Sequence, residues 1–170
     1  MVRTMKMNKD DLRKKCDEIF SKLNHVKSHY VGDDDENKII YLLEVELPKS
    51  INYLYDSILC FTYIDVEDGY METMIGNIYE LQEKDRNQIL DLLNDTNVLV
   101  HCGSFFILKT KESGRLYLTF KEGIYLGENC KCLDVDFASQ TIVNLLLSLR
   151  YIIDLLNKSN VTLGNPYEKE

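Results

Sequence analysis

The sequence predicts an α+β protein in which a mostly antiparallel sheet packs against helices. Three features carry this prediction. Stretches near both ends and in the middle of the chain have apolar residues at helical spacing. The segments between them are rich in β-branched and aromatic residues and are joined by short turns. Because short turns join antiparallel strands, we expect the element order α-β-β-β-β-α-β-β-α.

The first half of the chain supplies one helix and four strands. Asn8 can cap a helix whose apolar stripe runs from Leu12 to Leu23 and which should end near Asn24. The four strands are predicted at residues 25–31, 38–47, 57–66 and 70–79. Turns rich in Asp, Glu and Gly follow the first and third of these strands, and such residues favour hairpins.

The second half adds a middle helix, a hairpin and a closing helix. The helices are predicted at residues 84–95 and 137–158, and the hairpin strands at 98–110 and 115–126. Leu116, Leu118 and Phe120 alternate with polar or aromatic neighbours, so these three side chains should share one face of the sheet. Gly164 and Pro166 predict that the closing helix has ended before them.

Length and charge limit what the protein can be. The chain has 170 residues, typical of one domain. We expect a single domain over residues 1–170, with 1–8 a frayed arm and 161–170 a flexible tail. The 28 acidic and 20 basic residues give a net charge of −8. This charge argues against direct binding to nucleic acid or to anionic membranes, and it suits either a basic protein partner or an ordinary acidic protein.

The cysteines indicate a compartment. Five cysteines stand at irregular positions, and no apolar leader precedes them. A reduced, cytoplasmic protein is the simplest expectation. Uninterrupted apolar runs are far shorter than the roughly 20 residues of a membrane span, so no membrane association is expected.

A zinc site is one candidate that the cysteines and histidines suggest. Cys130 and Cys132 supply two thiolates, whereas a structural zinc site takes about four ligands. His25 and His29 lie on a predicted strand, where four residues span roughly 13 Å, too far for both to reach one ion. We therefore expect no metal ion at these residues.

A nucleophilic dyad is the second candidate. His101 and Cys102 are neighbours on a predicted strand, so their side chains point to opposite faces and cannot hydrogen-bond to each other. No G-x-S-x-G, H-E-x-x-H or Walker-type loop is present. We therefore expect no catalytic residue, no cofactor and no enzymatic activity.

Four consecutive carboxylates form the candidate partner-binding site. Asp33, Asp34, Asp35 and Glu36 occupy a predicted turn beside strands that hold many of the 11 tyrosines. Tyrosine is common both in protein interfaces and in strands. The turn is therefore either a solvated loop or part of an acidic surface for a basic protein partner.

The closing helix has a second apolar row. Its main stripe, 142–156, is enough to cover one sheet face. The surplus row consists of Val143, Leu147, Tyr151 and Leu155. A twofold contact between two copies of the helix would bury this row, so a homodimer is predicted; the alternative is that the N-terminal helix covers the row.

A short motif carries a resemblance to known proteins. Residues 92–97 read LLNDTN, a helix end of the form LLNxxN, and residues 103–105 read GSF, a strand of the form G-x-F. A glycine turn, a second strand and a long apolar helix follow. The chain resembles the YbjN family and the type III secretion chaperones in this motif and in its element order, mainly over residues 89–156. That resemblance implies protein binding, usually by dimers, and it supplies no catalytic residues.

Two functions fit these observations. The first is a non-enzymatic acidic protein-binding module, chaperone-like or regulatory, that acts through a sheet or helix surface. The second is a phage-type inhibitor, an anti-CRISPR protein or nucleic-acid mimic, that presents acidic surface to the basic groove of a nucleic-acid-binding enzyme. Salt separates them, because affinity that rests on charge falls steeply with ionic strength and affinity that rests on apolar contact does not.

Overall fold

The computed structural model of the chain describes residues 7–33, 38–100 and 102–168. Within these residues lie three α-helices, seven strands and two short 3₁₀ helices, at Glu83–Asp85 and Glu128–Cys130. The helices are α1 (Lys9–Ser21), α2 (Arg86–Leu99) and α3 (Val135–Lys158). The strands are β1 (Val26–Asp33), β2 (Lys38–Glu46), β3 (Ser57–Asp65), β4 (Tyr70–Leu81), β5 (Ser104–Lys109), β6 (Leu116–Tyr125) and β7 (Leu163–Gly164).

The strands form one sheet in the order β1-β2-β3-β4-β6-β5, and β7 pairs with the end of β4. Every pairing is antiparallel. The chain leaves β4, forms α2, continues into the outermost strand β5 and turns back as β6 beside β4. This arrangement confirms the predicted α+β class and element order.

Helices α1 and α3 pack against one face of the sheet, which we call the covered face. Phe20 of α1 meets the Tyr41 ring edge-on at 5.0 Å, and the Tyr41 hydroxyl donates to Asp17 at 2.6 Å. Alternate residues of β2 and β3 are buried on this face, as the period-two pattern of these strands requires. Leu149 and Ile152 of α3 are fully buried in the same core.

Several helix ends differ from the predicted ones: α1 ends at Ser21 and not near Asn24, and α2 begins at Arg86 and not at residue 84. Asp134 accepts a hydrogen bond from the Phe137 backbone N–H at 2.8 Å, and α3 therefore begins at Val135. Helix α2 runs on to Leu99, so Val98 and Leu99 belong to its last turn and not to the following strand. Apolar β-branched residues favoured a strand there, but no helix-breaking residue precedes Gly103, whose φ of +63° ends the connection.

The C-terminal segment, for which the sequence predicts a flexible tail, is paired in the structure. Leu163 and Gly164 pair with Leu81 and Glu80 of β4. The Tyr55 hydroxyl donates to the Asn165 side chain at 2.6 Å. The N-terminal residues 1–6 of the predicted arm lie outside the described residues.

Helix α3 is unusually apolar. The helix has 24 residues and includes a window with a mean hydropathy of 1.2. By length and hydropathy it could cross a membrane, and it is the one helix in the described part of the chain that meets both criteria. In the structure its inner side lies in the core against the sheet.

Candidate protein-binding surfaces

The outer row of α3 is exposed. Val143, Leu147 and Tyr151 are 44%, 59% and 42% exposed, and Leu155 is half-buried. The alternative that α1 covers this row does not hold among the described residues, because the apolar residues of α1 are themselves buried in the core against the sheet. The row therefore has no cover from the described chain, and the twofold contact remains a prediction.

A groove adjoins this row at the start of α3. It has a volume of about 670 Å³ and lies between α3 and the connection from α1 to β1. Val143 and Leu146 line it on the helix side, and Val26 and Leu47 line it on the sheet side. At its rim His25 Nδ1 lies 2.8 Å from the Glu46 carboxylate. Val143 belongs to both the outer row and the groove lining, so the two surfaces adjoin.

The second exposed surface is the sheet face opposite the helices, which we call the open face. Its residues form three rows across β2, β3, β4 and β6, because directly paired residues point to the same face. The rows are Lys38–Asp65–Tyr70–Tyr125, Ile40–Tyr63–Glu72–Gly123 and Leu42–Phe61–Met74–Lys121. Leu59 and Phe61 are 43% and 38% exposed on this face. The open face is therefore apolar along its third row as far as Lys121, and mainly polar and aromatic in the first two rows.

Several carboxylates lie at one end of this sheet. Lys38, the first residue of β2, pairs with Asp65, the last residue of β3. The β3–β4 turn, which follows Asp65, carries Glu67 and Asp68. Of the predicted acidic site, Asp33 ends β1. The other three members, Asp34, Asp35 and Glu36, lie outside the described residues.

Four of the five cysteines do not have the character of nucleophiles. Burial raises the pKa of Cys16 and of Cys60 to about 12, and it also raises the pKa of Cys102 and Cys130. A thiol with a raised pKa is un-ionised near neutral pH and reacts slowly. Cys102 Sγ lies 3.4 Å from the Ser148 hydroxyl, and its neighbour His101 lies outside the described residues.

The candidate metal ligands are dispersed. Cys130 is buried and Cys132 is exposed, whereas His25 contacts Glu46 at the far end of β2. His25 precedes β1 with a φ of +64°, so it does not continue the strand that holds His29. Within the described residues, no three His, Cys, Asp or Glu side chains are grouped in a way that could hold a metal ion.

One buried acid was not identified from the sequence. Glu122 is 5% exposed on the covered face of β6, and its Oε2 atom has no hydrogen-bond partner among the described residues. Thr73 pairs with it on β4, and Thr62 lies next to Thr73. The alternation of Leu116, Leu118 and Phe120 continues to this position and could have placed Glu122 toward the core. Burial raises the pKa of the Glu122 carboxyl above its usual value.

Glu122 should make folding stability depend on pH. Below the unfolded-state pKa, the Glu122 carboxyl is protonated in both the folded and the unfolded protein, so its ionisation does not lower the folding stability. As pH rises through the raised folded-state pKa, the folded protein loses stability, because an ionised carboxylate is disfavoured in the core. Glu122→Gln should remove this loss and melt at a higher temperature than the wild type at neutral pH. Thermal unfolding from acidic to neutral pH checks this, and parallel curves for the two proteins would contradict it.

The LLNxxN motif has a structural role. Its last residue, Asn97, donates from Nδ2 to the Phe105 carbonyl and accepts from the Phe105 backbone N–H, both at 2.8 Å. These two bonds join the end of α2 to the edge strand β5. Gly103 of the G-x-F segment lies against the Phe120 ring, where any Cβ atom would collide with that ring.

Together these features define a class: an antiparallel sheet with helices on one face and an open, partly apolar second face. The fold is that of YbjN. The crystal structure of YbjN, a candidate transcription regulator from E. coli, matches with a TM-score of 0.52, covering 91% of this chain and 93% of that chain, at 11% sequence identity. This confirms the predicted YbjN-like fold and extends it from two thirds of the chain to nearly all of it. No family model matches the sequence, and no curated protein matches it.

Proposed function

We propose that the protein is a non-enzymatic protein-binding module, chaperone-like or regulatory, that binds a partner across its open face. The observation that carries this proposal is the uncovered third row of that face, in which Phe61 is 38% exposed, with Leu59 43% exposed beside the row. Contiguous apolar surface on a folded domain marks interaction sites. The YbjN-like fold is compatible with this role, and YbjN itself is described as a candidate transcription regulator.

The charge around the open face supports a basic partner. Glu44 and Glu72 stand among the apolar residues, and Asp65 and Asp68 lie at one end of the face. The whole chain carries a net charge of −8. Charge complementarity would orient a basic partner, while the apolar row would supply contact area. The proposed site of action is the cytoplasm.

Capture from host-cell extract tests the proposal. Wild-type protein, Phe61→Asp and Val98→Asp are immobilised at equal density, and retained proteins are quantified. Val98 is the matched control, since it is 83% exposed at the end of α2, away from the open face. We expect a partner that wild type and Val98→Asp retain and that Phe61→Asp loses by about tenfold or more. Equal retention by all three proteins, each shown to be folded by circular dichroism, would refute an open-face site.

The alternative function is a phage-type inhibitor that mimics nucleic acid. It is favoured by the carboxylates of Asp65, Glu67 and Asp68 in and beside the β3–β4 turn. Replacing Asp33, Asp34, Asp35 and Glu36 with Ser or Asn should then leave the fold intact and weaken binding to a basic partner. Raising salt from about 0.1 M to about 1 M, which shortens the screening length to roughly 3 Å, should abolish charge mimicry and spare apolar binding. Unchanged affinity of the fourfold variant at low salt would exclude the mimic.

The outer row of α3 should make the protein a homodimer. A contact about a twofold axis would bury Val143, Leu147, Tyr151 and Leu155 of both copies at once. We expect a dimer by light scattering in the wild type and a folded monomer in Leu147→Asp. A wild type that is monomeric at high micromolar concentration would show that the row does not form this interface.

A further inference from the structure

A pocket lies on the open face at its acidic end. It has a volume of about 550 Å³ and spans the first two rows of the face. Three tyrosines line it, Tyr63 of β3, Tyr70 of β4 and Tyr125 of β6, which are neighbouring strands. Its carboxylates are Asp65, Asp68 and Glu72, and Lys38 is the single basic residue among the described residues of its wall.

One of these tyrosines, Tyr70, lies over a glycine of the neighbouring strand. Gly123 occupies the place in the second row next to Glu72, and the Tyr70 ring lies across it. A Cβ atom built at Gly123 would collide with the Tyr70 hydroxyl and Cζ. Glycine at this position therefore lets Tyr70 lie low on the sheet, so that the pocket stays open between Tyr63 and Tyr125.

Two of the three carboxylates, Asp65 and Glu72, are held in place before any ligand arrives. Asp65 Oδ1 accepts the backbone N–H groups of Glu67 and Asp68, at 2.9 and 3.0 Å. Glu72 accepts from Lys121 Nζ, which lies outside the pocket lining, at 2.8 Å. A group that is already fixed loses little entropy when it binds, which favours recognition.

The combination of aromatic faces and fixed carboxylates suits one side chain best. A guanidinium stacks on tyrosine rings and donates to carboxylates in a planar fork, whereas an ammonium is a compact and more strongly hydrated charge. The chain already makes one such contact elsewhere, where the Arg13 guanidinium lies 4.4 Å from the centre of the Tyr30 ring. Resting on the proposed open-face function, we propose that this pocket binds an arginine side chain of the protein partner.

A blocked tripeptide tests the pocket directly. Acetyl-Gly-Arg-Gly-amide is titrated into ¹⁵N-labelled full-length protein while the Gly123 amide signal and its neighbours are followed by NMR. Peptides with citrulline or lysine in place of arginine are the matched probes, since citrulline keeps the shape and removes the charge. We expect saturable shifts at Gly123 with arginine, none with citrulline and weaker binding with lysine.

Two variants locate the binding. Gly123→Ala should push Tyr70 off the sheet and weaken arginine binding about tenfold, and Tyr125→Leu should weaken it about fivefold. Gly76→Ala is the matched control, because nothing lies within 4 Å of a Cβ atom there. Equal binding of the citrulline peptide, equal binding of the lysine peptide, or no effect of Gly123→Ala would each overturn the arginine pocket.

The peptide titration and the capture experiment can succeed or fail independently of each other. If the arginine peptide fails to bind while Phe61→Asp still loses the captured partner, the open-face function stands and the pocket falls. If the peptide binds while Phe61→Asp captures the same proteins as wild type, the open-face function falls and the pocket stands as a separate arginine site.

Discussion

Replacing Asn97 with alanine should lower the free energy of unfolding by about 2–4 kcal/mol, because two hydrogen bonds to a buried residue are lost. Strand β5 is the last in the sheet, so the outward N–H and C=O of Phe105 have no further strand to pair with. Asn97 satisfies both groups at 2.8 Å. Without it, Phe105, which is 2% exposed, keeps two unpaired backbone groups at the sheet edge.

Asn94 provides the control for this prediction. It belongs to the same LLNxxN motif and the same helix, but its side chain is exposed. Asn94→Ala should change stability by no more than about 0.5 kcal/mol. Urea unfolding followed by circular dichroism measures both variants. If Asn97→Ala were no more destabilising than Asn94→Ala, the motif would have no role in joining α2 to β5.

Leu149→Ala should destabilise the protein by about 2–5 kcal/mol, the cost of a cavity at a fully buried leucine. Leu149 has no exposed surface and lies in the core beneath the sheet. Leu147, two residues earlier, is 59% exposed on the outer row of the same helix. The two positions share residue type and helix, so their difference reports burial alone.

Leu147→Ala should therefore leave the unfolding free energy of the monomer within about 0.5 kcal/mol of the wild type. If the outer row forms a dimer interface, Leu147→Ala should weaken the association of the two copies. Light scattering at decreasing protein concentration would detect this. If Leu147→Ala and Leu149→Ala lowered the unfolding free energy of the monomer by comparable amounts, the outer row would be part of the core.

The element sequence and the two rows of α3 were predictable because they are local patterns. Apolar spacing of three and four residues selected the helices, richness in β-branched and aromatic residues selected β2 and β3, and alternation placed the side chains of β6. The same spacing separated the buried Leu149 from the exposed Leu147. The YbjN-like fold was predictable from a short motif, but the role of Asn97 in that motif was not, since its partner Phe105 lies across a turn.

By itself, then, the sequence determined the helices, the strands and the antiparallel hairpins, since each depends on neighbours within a few residues. Only the tertiary structure decided that β6 lies beside β4, which brings Tyr125 next to Tyr70 and opens a pocket at Gly123. It alone showed that a Glu122 oxygen has no hydrogen-bond partner among the described residues, that Val98 and Leu99 belong to α2 and that residues 163–164 extend the sheet. The physical reason is that strand order and register depend on contacts between distant residues, which no local periodicity encodes.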